Sequence, residues 1–232
     1  MILLPAIDLM KGQAVRLVQG DRTRRKTYGW ALDVAYRYAE VVDEIHIVDL
    51  DGAFTGEPKN LDTVSEIIQK THLTVQLGGG FRSNDSIQKA IDRGVNRVLI
   101  GTQAVEPRTV FQMEQAFPGK IAVSIDLRGG RMMLEGWEQP SDVPWKDLFH
   151  SLQGVISWFV MTNVDLDGTL SGSKPFQPFW NQEKVIYAGG VSNLDDLDRL
   201  RSMGYYGAIS GKAIIEGHLN LKEAVAFLRQ GG

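Results

Sequence analysis

The chain carries the same series of marks twice. Read from Asp8 and again from Asp126, it passes through an apolar run ending in Ile-Asp-Leu, an Asp-Leu-Asp-Gly loop, a Gly-Gly turn and a second glycine turn. The first copies are Ile7-Asp8-Leu9, Asp49-Leu50-Asp51-Gly52, Gly79-Gly80 and Gly101-Thr102. The second are Ile125-Asp126-Leu127, Asp165-Leu166-Asp167-Gly168, Gly189-Gly190 and Gly211-Lys212. Matched marks lie 118 residues apart at Asp8 and Asp126, 116 apart at Asp51 and Asp167, and 110 apart at both glycine turns. A spacing that drifts so slowly predicts a single domain over residues 1–232, closed from two equivalent halves of about 1–118 and 119–232.

Short β-rich runs alternate with segments of helical period. The runs predict eight strands, over 2–8, 44–49, 73–77, 97–100, 121–126, 158–162, 184–188 and 206–210. Helices are expected over 31–41, 61–70, 85–93, 107–117, 195–203 and 221–229, with start signals at Ser83-Asn84-Asp85, Pro107 and Ser192-Asn193. Strand and helix alternating through two equal halves read as an α/β fold, a (β/α)8 TIM barrel built from two half-barrel repeats. The spacing drops by 6 between the second and third marks, in a stretch that carries Pro175 and Pro178, so the helix after strand six is expected to be short or irregular.

Composition removes several classes of function. A net charge of −3 offers no basic field for nucleic acid, and the local run Arg22, Arg24, Arg25 and Lys26 reads as a solvated loop. There is no cysteine, hence no disulfide, thiolate nucleophile or thiolate metal site. His46, His72, His150 and His218 show no metal-ligand spacing. No apolar run approaches the roughly 18 residues that span a bilayer, and Met1 runs straight into Ile2-Leu3-Leu4-Pro5 without a basic leader, so a cytoplasmic location is expected.

In a barrel of this kind the chemistry lies at the C-terminal ends of the strands. Asp8 and Asp126 each end an otherwise apolar run, and the repeat sets them on opposite sides of the mouth. Two carboxylates so placed can serve as general base and general acid if their surroundings separate their pKa values. The alternative is that each caps the loop that follows it, a task that requires no duplication. The turns at Gly79-Gly80, Gly101-Thr102, Gly189-Gly190 and Gly211-Lys212 each follow a strand and precede a helix, where backbone N–H groups meet an anion. Strands seven and eight form the usual phosphate site of such barrels, and strands three and four repeat it. A ligand with a phosphate at each end is implied. Thr162 ends strand six, where it can bond a substrate, orient Asp126 or simply favour a strand. His46, inside an apolar run, reads by default as a packed core histidine. Trp137 reads either as a stacking platform for an aromatic ligand or as a cover for the rim.

Several motifs together resemble the HisA family, the ProFAR isomerases of histidine biosynthesis. They are Leu4-Pro5-Ala6-Ile7-Asp8-Leu9, Val15-Arg16-Leu17-Val18-Gln19-Gly20-Asp21, His46-Ile47-Val48-Asp49-Leu50-Asp51-Gly52-Ala53, Val75-Gln76-Leu77-Gly78-Gly79-Gly80 and Glu135-Gly136-Trp137. The resemblance covers nearly the whole chain. It implies an Amadori rearrangement of an aminoaldose to an aminoketose on a small molecule with two phosphates, without cofactor or metal, in a monomer with no nucleic-acid or membrane partner. It implies that Asp8 is the base that removes the C2 proton and Asp126 the acid that assists ring opening. Thr162 matches the threonine that supports the acid, and Asp167-Gly168 the family's Asp-Gly before threonine. Arg16, His46 and Trp137, within the matched motifs, join the candidates for substrate contact.

The chain also departs from the family. Asn163 and Leu166 stand where an acid and a base are usual, a lost ion pair in the strand-six loop, and the loop after strand one reads as compact. Three other readings remain. Thr27-Tyr28-Gly29-Trp30-Ala31-Leu32-Asp33 resembles the loop of the bifunctional actinobacterial relatives that also isomerise phosphoribosylanthranilate, although Gly78 stands where those carry serine. The sister cyclases share the half-barrel repeat but carry an early cysteine and lysine that are missing here. A silent barrel that binds phosphorylated metabolites is the non-enzymatic alternative.

Overall fold

A computed structural model of the chain describes residues 1–18 and 21–230. Gln19 and Gly20 of the matched motif, the side chains of Val18, Asp21, Arg22, Thr23 and Arg24, and the last two glycines lie outside the described residues.

Eight parallel strands close on themselves with helices around them, which makes the chain a (β/α)8 barrel. The strands are β1 (Ile2–Met10), β2 (Glu44–Asp49), β3 (Thr74–Gly78), β4 (Arg97–Ile100), β5 (Ile121–Arg128), β6 (Trp158–Asn163), β7 (Lys184–Ala188) and β8 (Gly207–Ser210). Each pairs with the next, and β8 pairs with β1 through Ile2 opposite Gly207, so that the sheet has no parallel edge left open. The helices are α1 (Ala31–Ala39), α2 (Leu50–Thr55), α3 (Leu61–Thr71), α4 (Asn84–Asp92), α5 (Pro107–Ala116), α6 (Trp145–Leu152), α7 (Leu194–Ser202), α8 (Lys212–Ile215) and α9 (Leu221–Gln230).

Strand alternation sorts the side chains. In β1, Leu3, Ile7 and Leu9 pack outward under the helices, while Leu4 faces the barrel interior with Val160, Ile186 and Ile209. In β5, Ile121, Val123, Ile125 and Leu127 pack outward. The same parity that buries those apolar residues turns Asp8 of β1, and Ser124 and Asp126 of β5, inward. Lower in the barrel the interior is polar. Arg97 donates from Nε to Gln76 Oε1 at 2.9 Å, forms an ion pair with Glu44, and stacks its guanidinium 3.7 Å from the Trp158 ring centre.

Two antiparallel hairpins rise from the strand ends. Gln13–Val18 pairs with Asp21–Trp30 after β1, and Arg131–Leu134 pairs with Gln139–Pro140 after β5. The loop after strand one is therefore a ribbon that stands over the mouth, not the compact loop read from the sequence. The segment after β6 contains no helix over 171–182, as the two prolines imply. Side chains anchor it instead. Ser173 N–H bonds Asp196 at 2.6 Å, the Tyr205 hydroxyl donates to the Phe176 carbonyl at 2.8 Å, and Phe176 and Phe179 pack against Trp145.

The Asp49 carboxylate at the end of β2 is fully buried and accepts from the N–H groups of Gly52, Lys59 and Asn60 and from the Asn60 amide. Asp49→Ala strands the three backbone donors and leaves the Asn60 amide with Asp51 alone. The expected loss is about 3 kcal/mol, which in a chain of this size lowers Tm by roughly 6–12 °C. Calorimetry checks this, and an unchanged Tm would contradict it.

Candidate active site

The C-terminal ends of the strands surround a cavity of about 1120 Å³. Asp8 and Asp126 both line it, from β1 and β5, which stand on opposite sides of the barrel. Their partners differ in kind. Asp8 Oδ2 meets the Arg16 guanidinium at 3.1 Å, and the same guanidinium also pairs with Asp167. Among the described residues Asp126 has only neutral donors: the Ser124 hydroxyl at 2.8 Å, the Trp137 indole N–H at 2.9 Å, and Thr162, its direct neighbour across the β5–β6 ladder.

Burial raises the pKa of both carboxyls above the ordinary aspartate range. At Asp8 the Arg16 charge opposes that rise, while Asp167 adds to it. At Asp126 the hydrogen bonds from Thr162, Trp137 and Ser124 oppose it. The Asp8 carboxylate is thus stabilised by a cation and the Asp126 carboxylate by three neutral donors.

The candidate residues come together around this cavity. Thr162 lies within the ring of donors on Asp126. Trp137 lines the cavity, and its indole N–H points at the Asp126 carboxylate; its backbone φ is +73°, a conformation rarely adopted by a side chain of that size. His46 lines the floor of the cavity but is 5% exposed, with Nδ1 3.0 Å from Gln76 Nε2. Burial, then Arg97, lowers its pKa to about 4, so it is neutral at physiological pH.

The glycine turns form two matched cradles. Gly79-Gly80 with Gly101-Thr102 line one side, and Gly189-Gly190 with Gly211-Lys212 the other. Gly79, at φ +112°, passes so close to the Asp49 carbonyl that no side chain fits; Gly189, at φ +102°, stands in the same relation to the Asn163 carbonyl. Thr102 also accepts from the Glu135 N–H at 3.0 Å, which ties the first cradle to the β5 hairpin. Lys212 reaches the Gly168 carbonyl at 3.1 Å, so Asp167-Gly168 is held between Arg16 and Lys212.

Ser124, Arg82, Arg128 and Glu216 are among the residues of the mouth that the sequence reading did not mark. Ser124 sits two positions before Asp126, where strand parity alone marks it. Arg82, two residues beyond Gly80, and Arg128, at the end of β5, line the same cavity and add positive charge. Glu216 carried no sequence signal. Among the described residues no group of three or more His, Asp or Glu side chains is arranged to hold a metal ion, and no helix is long and apolar enough to cross a membrane.

A closed (β/α)8 barrel with two carboxylates facing one cavity at the C-terminal ends of its strands has the layout of an acid–base enzyme. The family model described as histidine biosynthesis protein matches residues 2–220. The chain is similar to the 1-(5-phosphoribosyl)-5-((5-phosphoribosylamino)methylideneamino)imidazole-4-carboxamide isomerases of Thermococcus onnurineus and Thermococcus kodakarensis. It is 46% identical to the first over 98% of this chain and 99% of that one, and 44% identical to the second over 98% of each. The isomerase of the same name from Pyrococcus furiosus is 43% identical over 98% of this chain and 95% of its own. The chain belongs to the histidine biosynthesis protein family and is an isomerase. Those names favour the single-substrate isomerase over the bifunctional reading.

Proposed function

We propose that the chain carries out the Amadori rearrangement that converts ProFAR, the bisphosphorylated aminoaldose of histidine biosynthesis, to its aminoketose. The observation that carries this reading is the pair of inward-facing aspartates, one with a cationic partner and one with neutral donors, across a cavity bordered by two glycine cradles. Each cradle receives one phosphate, at Gly79, Gly80, Gly101 and Thr102 on one side and at Gly189, Gly190, Gly211 and Lys212 on the other. Asp126, as the acid, protonates the ribose ring oxygen and the ring opens with support from the anomeric nitrogen. Asp8, whose carboxylate Arg16 stabilises, then takes the C2 proton, and the resulting enaminol gains a proton at C1 as its C2 hydroxyl loses one, which leaves the ketone at C2. Thr162 orients Asp126, Arg16 and Asp167-Gly168 position the opened sugar, and Trp137 and His46 contact the substrate. The two halves act as one domain, and the chain works as a cytoplasmic monomer without cofactor, metal or nucleic acid.

Trp137→Phe supplies a test of the acid. The indole N–H favours ionised Asp126, so its removal raises the Asp126 pKa. A general acid is lost as pH rises through its pKa. The alkaline limb of the kcat/KM profile therefore moves to higher pH in the variant, and movement to lower pH would contradict the assignment.

The reading as a whole is tested by steady-state absorbance assays of the purified chain with ProFAR and, in parallel, with phosphoribosylanthranilate. Turnover of ProFAR alone is expected. Turnover of both would move the chain to the bifunctional group, and binding without turnover would support a silent barrel.

A further inference from the structure

The ribbon after β1 delivers Arg16 to the site, and a second contact on the same ribbon has no part in the chemistry above. Arg16 lies directly opposite Lys26 on the ladder, so both side chains share one face of the ribbon. Two cations in that relation repel unless each finds its own counter-charge. Arg16 finds Asp8 and Asp167. Lys26 finds Glu216, with Nζ 2.7 Å from Oε1.

Tyr28 joins the same carboxylate. The register passes from Ala14 opposite Gly29 to Val15 opposite Thr27, so Tyr28 is the extra residue of a bulge. Bulges re-aim side chains, and here the Tyr28 hydroxyl donates to Glu216 Oε1 at 2.6 Å. Glu216 is the C-terminal cap of α8, one turn beyond Lys212. It is 15% exposed and lines the cavity together with Lys26, Tyr28 and Arg16. A carboxylate 190 residues away in sequence thus clasps the ribbon from across the β8–β1 seam.

We propose that Glu216 is a positioning residue for the isomerisation: by clasping Lys26 and Tyr28 it fixes the ribbon at the height that places the Arg16 guanidinium between Asp8 and Asp167. The inference rests on the proposed function. Glu216 itself faces Lys26, Tyr28, Lys212 and His218, and the hydrogen bonds from Lys26 and Tyr28 hold its pKa down to about 2, so it stays ionised throughout the working range. Asp8 faces Arg16 and Asp167, with Tyr28 and Tyr38 nearby. If the clasp loosens, Arg16 withdraws from Asp8 and the base is harder to ionise. Misplacement of about 1 Å by a distant change can cost on the order of 10²-fold in rate.

Glu216→Gln and Tyr28→Phe, compared with the wild-type chain on ProFAR, decide the matter. In Glu216→Gln, kcat/KM falls by about 10-fold or more, and its acidic limb moves to higher pH by roughly half a unit or more. Tyr28→Phe shifts the limb the same way by less, and stands alone as the readout if Glu216→Gln does not fold. A merely structural clasp would lower Tm and leave the limb in place. Wild-type kinetics and pH profile in either folded variant would overturn the proposal, whereas absence of turnover in the wild type would overturn the function on which it rests.

Discussion

Asp8→Asn and Asp126→Asn each lower kcat by about 10²- to 10⁴-fold, the contribution of a placed proton-transfer group, while Tm stays close to that of the wild type. Asparagine preserves the shape of the side chain, and the neighbours tolerate it. Arg16 keeps its ion pair with Asp167 when Asp8 is neutralised. In Asp126→Asn the amide oxygen accepts from the Trp137 indole, and the Ser124 hydroxyl, which bonds the other carboxylate oxygen, turns to accept from the amide N–H. Steady-state kinetics and a thermal melt of both variants check this. Near-normal kcat in both would remove the acid–base account, and a collapsed Tm would mean that the aspartates hold the fold.

The second large effect is at the cradles. Gly189→Ala drives a Cβ into the Asn163 carbonyl at a φ of +102°, where an L side chain is already strained. Together the clash and the strain cost about 3 kcal/mol, or roughly 6–12 °C in Tm. Turning the backbone aside also withdraws its N–H groups from an anion, so KM rises by at least about 10-fold for the loss of one charge-assisted hydrogen bond. Gly79→Ala behaves alike, against the Asp49 carbonyl. Gly101→Ala is the control: its φ is −105° and nothing lies within 4 Å of the added Cβ, so Tm is unchanged. Equal stability of the Gly189 and Gly101 variants would contradict the packing argument.

The barrel was legible because its signal is periodic. Apolar letters at alternate positions in Ile121, Val123, Ile125 and Leu127 mark the wall that packs on the helices, and they also force Asp126 inward. The β1 ribbon was not legible, since the charged stretch that ends in Arg25-Lys26 lacks the alternation of a half-buried strand. Helix α6 was missed between the β5 hairpin and β6, as was the short helix α2, whose Leu50-Asp51-Gly52 reads as a loop.

The site divides in the same way. Asp8, Asp126 and the glycine turns follow from the repeat, because duplication leaves a mark in one dimension. Arg16 entered only through resemblance, and Glu216 did not enter at all; both act across the mouth, on partners 151 and 190 residues away. The departure at Asn163 has a structural answer. The Asn163 amide donates to the Lys174 carbonyl at 3.3 Å, and Lys174 N–H bonds the Tyr187 hydroxyl at 3.1 Å. These contacts hold the strand-six loop without the ion pair expected from the family pattern.

A crystal structure of the Asp8→Asn chain with ProFAR bound tests the central claim most directly. The account predicts one phosphate against Gly79, Gly80, Gly101 and Thr102, the other against Gly189, Gly190, Gly211 and Lys212, and the ribose C2 between residue 8 and Asp126. Both phosphates on one side of the mouth, or a sugar out of reach of either position, would contradict it.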